Sequence, residues 1–72
     1  MEALDNSIYK TLRDDFLLAA HGLVLYQEGT QDYFRSQDMA ASTYRTAFEL
    51  FGEDMAEALK EEAFKKWPQL RK

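Results

Sequence analysis

The chain of 72 residues has no cysteine, one proline, three glycines and one histidine, His21. Without cysteine there is neither a disulfide nor a thiolate zinc site. Ordering so short a chain costs on the order of 100 kcal/mol of conformational entropy, at roughly 1.5 kcal/mol per residue. Close helix packing, helped by association with another surface, is then what remains to offset it. Few glycines and prolines mean few turns, which favours a small number of long helices over many short strands. Basic residues are also in the minority, nine Lys and Arg against 13 Asp and Glu, for a net charge of -4. An acidic surface repels phosphate backbones and anionic lipid, so nucleic acid and membranes are unfavourable partners. A long apolar run is missing too. The greasiest stretch, "FLLAAHGLVLY" (16–26), falls well short of the ~20 residues that cross a bilayer. The opening "MEALDNSIYK" is acidic and has no apolar stretch of a secretory leader, and a cysteine-free chain suits a reducing compartment, so a cytoplasmic protein is expected.

What is present is apolar surface. Hydrophobic residues make up 46% of the chain and aromatics 14%, too rich for disorder. The pattern predicts one all-α domain over 1–72, with three helices at about 6–28, 30–51 and 53–67, broken at "EGT" (28–30) and "FGED" (51–54). In the first helix Asp5, Asn6 or Ser7 can cap, and Ile8, Leu12, Phe16, Ala19, Leu23 and Tyr26 share a face at ~100° per residue. Gly22 is its weak point, at about 1 kcal/mol relative to alanine. A minority alternative folds "GLVLYQEGTQDYF" into a hairpin around Gly29, but no further strand exists to build a sheet. The second helix can begin at Thr30 or at Ser36, with Tyr33, Gln37, Ala40, Tyr44, Ala47, Phe48 and Phe51 inward. The third places Glu53, Asp54 and Glu57 early and Lys65 and Lys66 late, matching the helix dipole. Its apolar face is Met55, Ala56, Leu59, Ala63 and Trp67, and Pro68 stops it.

Catalytic and metal chemistry find little support. A Glu-x-x-His pair would need a carboxylate where Leu18 stands, and Asp14 lies ~10 Å from His21 along the axis. The adjacent acids "DD" (14–15) and "EE" (61–62) point in different directions on a helix. Ser7, Ser36 and Ser42 lack a nucleophile-elbow context, and the glycines form no phosphate-binding motif. No enzyme, cofactor, metal or small-molecule substrate is expected. One stretch, "DMAASTYRTAF" (38–48), resembles the recognition helix of helix-turn-helix regulators. That resemblance implies presenting Ser42, Thr43 and Arg45 to base edges. It covers about eleven residues and lacks the glycine turn before such a helix.

A second face of the first helix carries the stronger signal. There Leu17, Leu18, Val24 and Leu25 surround His21 at i±3 and i±4. Two other helices are little to cover so much apolar surface. The expected function is therefore a small acidic interaction module, an adaptor, inhibitor or regulator, docking a protein partner or a second copy through Leu17, Leu18, His21, Val24 and Leu25. The alternatives are burial of that face within the chain, and DNA binding through residues 36–48.

Overall fold

A computed structural model describes residues 2–71, with side chains from Ser7 to Arg71. The described residues form an all-α arrangement of three helices, α1 (Glu2–Leu25), α2 (Gln31–Phe51) and α3 (Glu53–Lys66), followed by a 3-10 turn at Pro68–Arg71. Residues on both sides of Gly29 are helical, so the hairpin alternative is not adopted.

Local chemistry sets the ends. The backbone of α1 is already helical at Glu2, which puts Ser7 inside the helix instead of at its cap. The helix stops at Leu25, three residues before the expected Glu28. Beyond it the Gln27 carbonyl is taken by Thr30, whose N–H and hydroxyl donate to it at 3.2 and 2.7 Å. Gly29 supplies the positive φ, 94°, that this tight return needs. Thr30 then caps α2, its Oγ1 accepting from the Tyr33 N–H at 3.2 Å, so Ser36 lies well inside that helix. Gly52, at φ 95°, is the whole link between α2 and α3. Its N–H donates to the Phe48 carbonyl, and its own carbonyl accepts from Ala56. Trp67, the residue before Pro68, leaves the helical region at φ -133° and ends α3.

The helices run up, down and up. Tyr9 and Phe51 meet edge to face, 5.5 Å between ring centroids, at one end of the α1–α2 pair. Gly22 meets Ser36 near the other end. Helix α3 returns alongside α1. Along this line the Tyr9 hydroxyl donates to the Met55 carbonyl at 3.3 Å, and the Arg13 guanidinium grips the Glu62 carboxylate through Nε, 2.8 Å from each oxygen, and through Nη2. Farther up, the His21 ring stacks on Trp67. The core between them is Phe16, Ala20, Ala47, Ala56, Leu59 and Ala63, with Ala19 also buried.

Several expected core positions lie farther out. Tyr26 is 41% exposed because α1 has ended before it. Ile8 is exposed where Phe51 turns onto Tyr9 instead, and Met55 is exposed at the start of α3. Gln37 and Phe48 are exposed as well, while Tyr33, Ala40, Tyr44, Phe51, Leu12, Leu23 and Trp67 are half-buried. Gly22 has a different role from the weak point expected. It is buried, and a methyl group there would lie 2.1 Å from Ser36 Oγ and 2.9 Å from Ser36 Cβ. The absent side chain is what lets α1 and α2 approach.

Two stability experiments follow from these contacts. Gly22→Ala gains helix propensity yet is expected to destabilise the fold by about 1–3 kcal/mol through overpacking. In urea unfolding followed by circular dichroism, adding Ser36→Gly should remove part of that loss, so that the double variant is more stable than the sum of the two single changes. The second concerns Glu62, whose carboxyl the Arg13 hydrogen bonds hold below the usual carboxylate range. A lowered folded value means that this stabilisation is complete above pH ~4.3 and is lost as pH falls through the lowered value. Glu62→Gln is therefore expected to lower the urea midpoint slightly at neutral pH and to flatten its decline on acidification below about pH 4.3.

Candidate docking surface

Helices α2 and α3 are close beside the Gly52 link, where Ala47, Ala56 and Leu59 are fully buried, and a groove separates them farther along. Its floor is α1, through Phe16, Ala20 and Leu23. One wall is α2, through Ala40, Ala41, Tyr44 and Phe48; the other is α3, through Ala63 and Phe64; Leu70 of the 3-10 turn stands at one end. The groove has a volume of about 820 Å³ and is open to solvent, with Arg45, Glu49 and Lys60 on its lips. Small residues beside the link and large rings beyond it explain why the two helices enclose this space. The residues Leu23 and Leu70 also border a second hollow of about 350 Å³, with Val24, Tyr33 and Gln69.

Charged groups hold the aromatic walls in place. On the α2 side the Tyr44 hydroxyl donates to Glu57, and this hydrogen bond, with burial, raises the phenol above its ordinary pKa. Lys60 sits 3.6 Å from the same carboxylate and 5.4 Å from the centre of the Tyr44 ring. On the α3 side Arg71 lies over the Phe64 ring at 4.9 Å and donates to Glu61 at 3.0 Å. Tyr44 is thus held at its hydroxyl and Phe64 under a guanidinium, and both rings line the groove. Arg45 has no carboxylate within 4 Å among the described residues. Such a lining offers shape and apolar area with charge only at the margin, which is the chemistry of recognition.

The five residues expected to form one seam are divided. Leu17 packs half-buried against the core, and Val24 is half-buried in the second hollow. The His21 ring, still exposed, lies flat on Trp67, with centroids 5.4 Å apart and an interplanar angle of 11°. Leu18 and Leu25 remain in solvent, at 63% and 64% exposure. Helix α3 and its 3-10 turn have taken one edge of the seam and left the other. Of the residues tied to the recognition-helix resemblance, Ser42 and Arg45 are exposed and Thr43 is buried, so they do not present a common face to a base edge.

The groove itself was not anticipated. The helical period places Phe48 in the core with Tyr44 and gives Phe64 no face. The available signal was the seven-residue recurrence of Phe34, Ala41 and Phe48, which marks a second stripe on α2 beside its core face. Among the described residues, no helix is long and apolar enough to cross a membrane, and no three His, Asp or Glu side chains come together as metal ligands. No protein-family model, no curated protein and no solved structure matches this chain.

Proposed function

We propose that the chain is a non-enzymatic protein-interaction module, an adaptor, inhibitor or regulator, that receives an apolar helix face in the groove between α2 and α3. The observation that carries this reading is the groove, an open apolar trough walled by Tyr44, Phe48 and Phe64. Helix-in-groove recognition uses such a trough, with large side chains of the ligand at i, i+3, i+4 and i+7 entering it. Phe48 is 46% exposed beside Tyr44, so an incoming side chain can cover its ring. The lips carry both signs of charge, which favours an amphipathic segment over a purely greasy one. Leu18 and Leu25 are a lesser surface, two isolated side chains on α1 with no concave site around them.

Comparative capture tests the assignment. Proteins retained from native lysate by the tagged wild-type chain are compared with those retained by Phe48→Glu and by Leu18→Glu/Leu25→Glu, after circular dichroism shows that each variant is folded. The groove reading expects a bound species weakened about ten-fold or more by Phe48→Glu and unaffected by the double α1 change. The opposite pattern would transfer the docking role to α1, and a bound species, foreign or a second copy of the chain, held equally by all three would remove it from both surfaces.

A further inference from the structure

Along α2, one row of side chains recurs every seven residues and is left uncovered by the fold. Phe34 is 52% exposed, Phe48 is 46% exposed, and Ala41, midway between them, is exposed as well. Seven residues bring a helix back to within about 20°, so the three form a stripe. A second row, Gln37, Tyr44 and Phe51, is offset by three residues, giving the two-row pattern of helices that pair along their length. Tyr44 and Phe51 are half-buried in their own chain, so the unpartnered row is Phe34, Ala41 and Phe48.

The row is symmetric about Ala41, with one phenylalanine seven residues to each side. Resting on the groove as the docking surface, we infer that its occupant is a second copy of this chain. The two α2 helices pair antiparallel about a two-fold axis at Ala41. In that register Phe34 of one copy packs against Phe48 of the other, twice, and the two Ala41 methyls let the helices approach closely. Phe34 thereby reaches the Phe48 wall of the facing groove.

Charge selects this direction. Asp38 and Arg45 each follow a member of the row by four residues and so lie on the same edge of it. An antiparallel pair sets Asp38 beside Arg45 of the other copy, twice. A parallel two-fold pair would put the two charged edges on opposite sides of the interface, so neither Asp38 nor Arg45 would gain a partner. Neither residue has an ion-pair partner within 4 Å among the described residues, so both are available. Leu18 and Leu25 offer no such match. They lie on the side of α1 away from its groove-floor residues, next to Asp14, which Arg13 already approaches at 3.8 Å. Docking them into a facing groove would also run head to tail and not close.

Sedimentation equilibrium on the full chain decides the point. The wild type is expected at twice the mass of one chain. Ala41→Arg should leave helical circular dichroism unchanged, since the site is exposed, and give the single-chain mass. Asp38→Arg or Arg45→Asp alone should weaken association about ten-fold by opposing like charges at both symmetric contacts, and the two together should restore most of it. A wild type of single-chain mass up to millimolar concentration would overturn the inference, as would a dimer indifferent to Ala41→Arg or a double swap that fails to recover. A single-chain mass with Phe48-dependent capture retained would overturn self-association alone; loss of both would remove the groove as a docking surface.

Discussion

Between Gly22 on α1 and Ser36 on α2 there is no room for a methyl group, and much of the fold takes its position from that contact. It holds the two longest helices close near one end, while the Tyr9–Phe51 ring contact closes the other. Helix α3 is then constrained at both of its ends. The one-residue link at Gly52 keeps its start beside the end of α2, and Trp67 on His21 keeps its finish against α1. At its middle, α3 is joined to α1 by Arg13 and Glu62. It is free to stand off from α2 beyond Leu59, and the groove is the space so left.

Alanines make this geometry possible and define its weakness. The core cluster holds four alanines beside Phe16 and Leu59, and among the described residues Leu59 is the one large side chain fully buried. Small residues permit close backbones but remove little apolar area from water, at about 25 cal/mol per Å². The large rings of α2 and α3 sit around that core as partial covers. Glu57 holds the Tyr44 hydroxyl, Lys60 lies over the Tyr44 ring and Arg71 over Phe64, which restricts their motion and leaves both rings only half-buried.

Much of the architecture was legible because helix signals are local. Thr30, Gly29, Gly52 and Pro68 act within a few residues of themselves, and α2 and α3 begin and end close to where those residues predict. The beginning of α1 was misplaced because capping residues are permitted within a helix, so Ser7 only marked one option. Gly22 was misread for a deeper reason. Propensity treats glycine as a defect of its own helix, whereas its effect here depends on a side chain fourteen residues later. The seam around His21 failed as a unit on the same ground. A helical wheel shows which residues share a side of α1, but not that Leu17 would turn onto the core, Trp67 onto His21 and the 3-10 turn toward Val24, leaving Leu18 and Leu25 outside.

Under the proposed function, folding and recognition draw on the same rings. A larger domain covers its outer aromatics with further elements, and this chain has used its three helices to build the floor and walls of a groove. Whatever covers Phe48 and Tyr44 does so only on the folded chain, because the unfolded chain has no groove to present. Binding there therefore stabilises the native state by RT ln(1 + [L]/Kd), about 2.7 kcal/mol at a hundred-fold excess over Kd. That is a substantial fraction of the 5–15 kcal/mol typical of small domains. Replacing Phe48 by a smaller residue would weaken docking directly, yet would alter the isolated fold little, since nearly half of that ring is already in water. The surface proposed for docking is thus one the lone chain can best spare.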